Sequence, residues 1–147
     1  TKKMERERMN NQEKCVMIID EQLPIGLVAN TAAILGATLG KLFPEGIGED
    51  IYDSTGRKHL GIVNFPIPIL KTNKEQLQTI RESISQQTDP EVTIIDFSDV
   101  AQTTNSYEQY RQTLETIPTE TLAYFGLCLK GKKKSINKVA GSLPLYR

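Results

Sequence analysis

The stretch without charged residues at 22–40 constrains the fold most, because a long apolar segment has to be buried against something. It follows a continuous apolar run at residues 15–19, which is typical of a strand buried on both faces. Asp20 closes that strand, and Pro24 suits the first turn of a helix, where its missing N–H does no harm. Residues 14–43 therefore predict a strand, an acidic turn and one long helix from Ile25 to Leu42.

The helix could in principle be a membrane span or the central helix of a soluble domain. Pro24, the glycines and the polar residues of this stretch, and the lack of a flanking basic loop, favour the second reading, with no membrane involved. We expect it to be buried nearly all round. Ala29, Ala33 and Ala37 form a row of small residues that suits close packing, and a homodimer is the predicted assembly.

Length and charge limit the function classes. A chain of 147 residues supports one domain, predicted at 14–147 after a frayed tail at 1–13. Its 18 basic and 18 acidic residues argue against a protein that mainly coats nucleic acid or anionic membrane. A predicted basic turn at Lys130–Lys134 leaves nucleic acid binding open. We expect a cytoplasmic protein, no cofactor and no metal, with Cys15 and Cys128 as buried reduced thiols.

The rest of the chain alternates strands and helices. The predicted elements are a hairpin at 51–63, a strand at 67–70, a helix capped by Thr72 or Asn73 and ended by Asp89-Pro90, a strand at 92–97, a polar loop at 98–105, a helix over 107–117, a strand at 122–129, the basic turn, and a short helix at 135–141. This alternation predicts the α/β class: a layered sandwich with a mixed central sheet of about four strands, flanked by helices.

Several pieces occur in a recognisable order. They are Lys14-Cys15-Val16, Asp20, Gly26 and Val28-Ala29 at the first unit, then Ile94-Ile95, Asp99, Thr103, Thr121 and residues 123–131. This order resembles the type-2 peptidyl-tRNA hydrolases and the family catalogued as domain of unknown function 2000, which is grouped with that fold. The resemblance spans most of the chain and implies the hydrolase-like fold. The type-2 enzymes are typically dimers, which also supports the homodimer.

The departures from the hydrolase pattern bear on activity. Where the hydrolases carry Lys after the helix-opening glycine, this chain has Leu27, and where they carry Gln it has Thr31, or Asn30 in the next register. Their helix then carries His, where this chain has Ile34. Residues 106–117 look inserted. The resemblance therefore implies a relative whose hydrolase site has been lost or rebuilt.

Six residues remain as site candidates. Asp20 and Asp99 are the catalytic candidates, although Asp also caps helices and turns. The binding candidates are Asn30, Thr31, Thr103 and Thr121. In open α/β sheets, ligands bind beyond the carboxyl ends of the strands, which is where the two Asp residues are expected.

Three functions stay open. The first is a pocket protein that binds a small or nucleotide-like ligand, with possible hydrolase activity. The second is retained peptidyl-tRNA hydrolysis, with Asp99 or Asp20 orienting the attacking water. The third is a non-catalytic interaction module that uses the hairpin and the Tyr-rich segment at 106–117. His59, the sole histidine, is expected at the surface.

Overall fold

The fold was analysed in a computed structural model, which describes residues 12–86 and 92–147 together with Lys2. Its strands are β1 (Glu13–Asp20), β2 (Ile51–Tyr52), β3 (Lys58–His59), β4 (Ile69–Thr72), β5 (Thr93–Ser98) and β6 (Tyr124–Lys132). Its helices are α1 (Ile25–Leu42), α2 (Lys74–Gln86), α3 (Asp99–Thr103), α4 (Tyr107–Leu114) and α5 (Lys133–Ala140), with short 3-10 turns at Pro44–Gly46 and Thr119–Thr121.

Four strands form one mixed sheet in the order β4-β1-β6-β5, which confirms the α/β class and the four-stranded sheet. β1 pairs parallel with β4, whereas β6 runs antiparallel to both β1 and β5. β1 and β6 are buried on both faces because helices cover each side. α1 packs on one face, and α2 with α5 packs on the other. The outer side of β4 is closed by the C-terminal tail, where Leu145 bridges to Leu70.

The long helix begins and ends where the sequence predicts, but its predicted environment is wrong. Only Val28, Thr31, Leu35 and Leu39 are buried, and the opposite side of α1 is exposed. The small residues made the helix look apolar all round, whereas one sheet can bury only one stripe of it. By length and composition α1 could span a membrane, but it packs against the sheet as one layer of an α/β domain.

Several boundaries differ from the prediction. The strand predicted at 67–70 is β4, two residues later, and Asn73 caps α2 by accepting a hydrogen bond from the Gln76 amide at 2.8 Å. The last strand predicted at 122–129 starts at Tyr124 and continues to Lys132. The predicted helix over 107–117 ends at Leu114. Asp89-Pro90 and most of the predicted tail lie outside the described residues, and Glu13, assigned to that tail, belongs to β1.

Two segments predicted as loops form helix or strand in the structure. The polar loop predicted at 98–105 holds helix α3, because Asp99 opens a helical turn. The basic turn predicted at Lys130–Lys134 does not exist, since Lys130 and Lys132 belong to β6 and Lys133 begins α5. The Lys130 ammonium lies 2.8 Å from the Glu13 carboxylate and over the Phe43 ring, 4.4 Å from its centroid. Lys130 is therefore held within the sheet layer.

Candidate functional site

The topology brings the ends of three strands to one edge of the sheet. β1, β4 and β5 run in the same direction, and β6 begins where they end. Asp20 is the last residue of β1 and Asp99 follows β5, so both acids lie at this edge. β6 separates the two strands, so the acids are about 10 Å apart, or two strand spacings. We call this region the carboxyl edge.

Asp20 is almost completely buried at the end of β1, only 7% exposed. Its Oδ1 accepts a hydrogen bond from the Gln22 amide at 2.9 Å, which fixes the acidic turn before α1. Thr72 lies opposite on β4, and its carbonyl accepts from the Glu21 amide at 2.9 Å. Asp20 therefore has the turn-capping role that was the alternative to a catalytic one. This role uses one of its two carboxylate oxygens.

Asp99 ties the start of α3 to the segment that leads into β6. Its Oδ1 accepts from the Val100 amide at 2.9 Å and from the Ala123 amide at 3.3 Å. Its own amide donates to the Ala123 carbonyl at 2.9 Å. Within the described residues, no hydrogen bond reaches Oδ2 of Asp20 or of Asp99. Each acid therefore keeps one oxygen that could accept from a ligand.

The amino-terminal part of α1 lies close to helix α3, which follows β5 at the carboxyl edge. The Asn30 amide donates to the Gln102 side-chain oxygen at 3.3 Å, which links α1 to α3 across the surface. Thr31, next along, points into the sheet and is fully buried. A Cβ added at Gly126 of β6 would lie 2.6 Å from its methyl group, so the helix and the strand are in close contact there.

Two buried hydroxyl groups have no hydrogen-bond partner in the described part of the chain. They belong to Thr31 of α1 and to Ser98, the last residue of β5. A buried hydroxyl without a partner costs about 1–3 kcal/mol. Thr31 follows Asn30 in the chain and Ser98 precedes Asp99, so each unpaired hydroxyl is next in sequence to a site candidate.

Two of the six candidates are not brought into this arrangement. The exposed Thr103 hydroxyl donates to the Asp99 carbonyl at 3.0 Å, inside its own helix. The exposed Thr121 hydroxyl donates to the Pro118 carbonyl at 2.8 Å, inside a 3-10 turn. Both hydroxyls return to local backbone, the common use of Thr near helix ends. Asp20 and Asp99 therefore share the carboxyl edge. Thr31 packs against Gly126 on the face covered by α1, whereas the alternation of β1 places Asp20 on the side of Val16 and Ile18, which face α2.

At the α1 positions where the resemblance places the basic groups of the hydrolases, this chain has apolar side chains. Leu27 is half-buried on α1, and Ile34 lies on its exposed side. His59 is on the β2–β3 hairpin, where its Nε2 lies 2.8 Å from Asp53 Oδ2. Hydrogen bonds from His59 and Thr55 lower the pKa of Asp53 to about 2. Within the described residues, no three His, Cys, Asp or Glu side chains group as metal ligands.

The two thiols lie buried in the centre of the sheet and form no disulfide, as predicted. Their sulfur atoms are 3.9 Å apart on β1 and β6. The Cys128 thiol and the Lys130 charge lower the pKa of Cys15, while Cys15 and burial raise the pKa of Cys128. Neither thiol reaches the carboxyl edge as a nucleophile.

Sequence reasoning missed a polar cleft on the other face of the sheet. It has a volume of about 470 Å³, lies between α2 and the 3-10 turn at Thr119–Thr121, and includes Gln78, Arg81 and Tyr124 in its wall. The Arg81 guanidinium lies 3.2 Å from the Asp96 carboxylate. Burial and the Asp96 charge raise the pKa of Tyr124. Side chains alternate between the two faces along β5, which places Asp96 on the same side as Ile94, facing α2. This alternation could have indicated the Arg81–Asp96 pair from the sequence.

Residues 13–147 match the family model described as "Protein of unknown function (DUF2000)". The chain belongs to the DUF2000 family. No curated protein matches its sequence. A solved structure of similar fold is the protein of unknown function Atu0240 from Agrobacterium tumefaciens strain C58. It is 21% identical, with a TM-score of 0.82, and the match covers 92% of this chain and 98% of that one. This likeness shows that the two proteins share a fold, while kinship with the type-2 hydrolases stays a prediction.

Proposed function

We propose that this DUF2000 chain is a binding protein whose small ligand occupies the carboxyl edge, and that it does not hydrolyse peptidyl-tRNA. The observation that carries the proposal is the pair of carboxylates, Asp20 and Asp99, that end β1 and β5 and each keep one oxygen without a hydrogen bond in the described residues. The edge of an open α/β sheet beyond its carboxyl ends is where such folds bind ligands. The Asn30–Gln102 contact forms the adjoining wall.

The chemistry of the edge selects the ligand class. Two carboxylates and an amide oxygen accept hydrogen bonds, so they favour a ligand rich in N–H and O–H donors. The base and ribose of a nucleoside meet this description. Phosphate groups would have to lie away from the acids, because like charges repel. We therefore propose a nucleoside-like ligand. We also propose a cytoplasmic location, which is supported by the two thiols that form no disulfide.

Loss of hydrolysis is supported by the side chains at the α1 positions where the resemblance places basic groups. Leu27 and Ile34 supply neither a cation for phosphate nor a proton carrier, and His59 is committed to Asp53 on the hairpin. A water held only by Asp20 or Asp99 would lack a partner of suitable pKa to protonate the leaving group. Retained peptidyl-tRNA hydrolysis is the less favoured alternative.

The test measures binding and turnover in the same preparations. Calorimetric titration with a panel of nucleosides is expected to give binding in the wild type and a roughly 10–100-fold weaker affinity in Asp20→Asn, since a hydrogen bond to a charged acceptor contributes about 1.5–3 kcal/mol. Asp20→Asn keeps the oxygen that accepts from Gln22. Asp53→Asn, on the hairpin, is the matched control and should bind normally. Turnover of peptidyl-tRNA that is lost in Asp99→Ala would replace this proposal with the hydrolase alternative.

A second candidate, the interaction module, is supported by a different observation. Residues 51–60 are all exposed although they include the apolar side chains of Ile51, Tyr52 and Leu60. Exposed apolar groups that lie together mark interaction sites. The Tyr-rich segment at 106–117 gives this candidate less support, because Tyr107 packs edge-on against Tyr110 within α4.

A further inference from the structure

The polar cleft beside α2, which Gln78, Arg81 and Tyr124 help to line, has walls that the fold holds in place. Gln78 Nε2 donates to the Glu120 carbonyl at 2.9 Å, which ties α2 to the 3-10 turn at Thr119–Thr121. The volume of about 470 Å³ falls within the range of small-molecule sites, roughly 300–1,000 Å³. α2 is fixed on the sheet beside this space, because three of its side chains are buried in the core: Leu77, Ile80 and Ile84.

Arg81 supplies the positive charge of the cleft and is held in a fixed orientation. Its Nε lies 3.2 Å from the Asp96 carboxylate, and its Nη1 donates to the Ser85 hydroxyl at 2.6 Å. The Arg81 side chain is 27% exposed, so part of the guanidinium is open to the cleft. A guanidinium has more N–H donors than these two contacts use, and its planar fork suits a carboxylate. Arg81 can therefore hold the carboxylate of a ligand with its remaining N–H groups.

Tyr124 adds a hydrogen-bond donor in the innermost part of the cleft. It is the first residue of β6 and is only 3% exposed. Burial and the Asp96 charge raise the pKa of Tyr124 more than the Arg81 charge lowers it. The phenol therefore keeps its proton at neutral pH and can donate to a negatively charged group. Arg81 and Tyr124 present their donors to the same part of the cleft.

The outer part of the cleft carries the opposite charge. Glu82 on α2 and Glu120 in the 3-10 turn both line the cleft and are exposed. Within the described residues, neither carboxylate forms an ion pair or a hydrogen bond. Glu82 follows Arg81 in the helix, and neighbouring positions do not face each other, so these two charges do not pair. The cleft therefore has donors in its inner part and free carboxylates in its outer part.

We propose that the polar cleft binds a small zwitterion, a molecule with one ammonium and one carboxylate, as free amino acids and short peptides have. Its carboxylate lies against Arg81 and Tyr124, and its ammonium lies against Glu82 and Glu120. A ligand with only a carboxylate would be repelled by Glu82 and Glu120, and a ligand with only an ammonium would be repelled by Arg81. A zwitterion is the ligand class that matches both parts of the cleft.

This site is distinct from the carboxyl edge. Neither Asp20 nor Asp99 is among the described residues that line the cleft. The two sources of a zwitterion differ in the separation of their charges. A free amino acid carries both groups on one carbon atom, whereas a dipeptide separates them by about 3.5 Å more. Probes of both lengths therefore distinguish the two sources.

The experiment is calorimetric titration with alanine and with alanyl-alanine, each also with its amine acetylated or its carboxylate amidated. The wild type is expected to bind a free zwitterion, and to bind each blocked form of it on the order of tenfold more weakly, because a blocked form lacks one charged contact. Tighter binding of alanyl-alanine than of alanine assigns the cleft to short peptides. The reverse order assigns it to free amino acids.

Substitutions in the two parts of the cleft should each remove one preference. The double variant Glu82→Gln with Glu120→Gln is expected to bind the free probe on the order of tenfold more weakly and to lose its preference over the acetylated form. Arg81→Lys keeps a positive charge beside Asp96 but lacks the planar fork, so it should weaken binding to a similar extent and reduce the preference over the amidated form. Glu49→Gln is the matched control, because it removes an exposed carboxylate outside the cleft, and it should bind as the wild type does.

Tyr124→Phe tests the inner part of the cleft without removing the Arg81–Asp96 pair. It removes one hydroxyl and should weaken binding of the free probe roughly 3–10-fold. Urea unfolding should show that every variant is folded. The proposal is overturned if the wild type binds none of these probes, if free and blocked forms bind equally, or if the double variant and Arg81→Lys both bind as the wild type does. These titrations contain no nucleoside, so their result is independent of the carboxyl edge.

Discussion

The close contact between α1 and β6 gives a quantitative test of how the site wall is built. In Gly126→Ala, the new Cβ would lie 2.6 Å from the Thr31 methyl, 3.2 Å from the Ile18 carbonyl oxygen and 3.3 Å from a Leu35 methyl. Thr31 is β-branched and restricted at χ1, so it cannot easily rotate away inside a helix. The helix must therefore shift, and overpacking of this kind costs about 1–3 kcal/mol.

The Thr31 methyl carries most of this cost, which a double-mutant cycle can isolate. Thr31→Ser alone removes one buried methyl and should cost about 1 kcal/mol. In the double variant with Gly126→Ala the shortest contact is gone, so the total cost should be smaller than the sum of the two single costs by about 1–2 kcal/mol.

The assay is equilibrium unfolding in urea, followed by circular dichroism. Gly40→Ala is the matched control. It lies in α1 with no atom within 4 Å of an added Cβ, so it should stabilise the protein by about 0.5–1 kcal/mol. Additive costs in the Gly126 and Thr31 pair, or a neutral Gly126→Ala, would refute the close packing of α1 on β6.

Three further predictions concern other parts of the molecule. Gly61→Ala places a Cβ 1.8 Å from the backbone oxygen of Gly48, so it should disorder the β2–β3 hairpin, seen as amide shifts confined to residues 47–63, with urea unfolding of the sheet nearly unchanged. Arg81→Met leaves the Asp96 carboxylate, 30% exposed, without its partner, and should cost about 1–2 kcal/mol in the same unfolding assay. The pKa of Asp53, lowered from 3.8 to about 2, means that its contribution to the stability of the β2–β3 hairpin is complete above its ordinary pKa and is lost as pH falls through about 2. Carbon-13 titration of that carboxyl should show the midpoint near 2, and a midpoint near 4 would contradict the paired turn.

The parts that the sequence predicted well depend on local signals. α1 begins and ends as predicted because Pro24 opens the helix and Phe43-Pro44 closes it. The position of Asp20 and Asp99 at the same edge of the sheet followed from strand direction, since strands that run the same way end at one edge, while a shared site stays a prediction. The chain order of strands and helices was enough to predict both.

The parts that failed depend on tertiary contacts. Small residues on α1 gave no sign of which stripe the sheet would bury, so the exposed side was missed. Lys130 was predicted in a turn, yet it belongs to β6, where its ammonium lies over the Phe43 ring and pairs with Glu13. The hydroxyls of Thr103 and Thr121 bond to nearby carbonyls, a use that pattern reasoning cannot separate from ligand binding.

Amide chemical-shift mapping with nucleosides tests the central proposal most directly, because it locates a ligand without assuming a reaction. The carboxyl-edge site predicts concentration-dependent shifts at Asp20, Asn30, Asp99 and Gln102, which disappear in Asp20→Asn. Shifts confined to the cleft beside Arg81, or no shifts with any nucleoside, would contradict it.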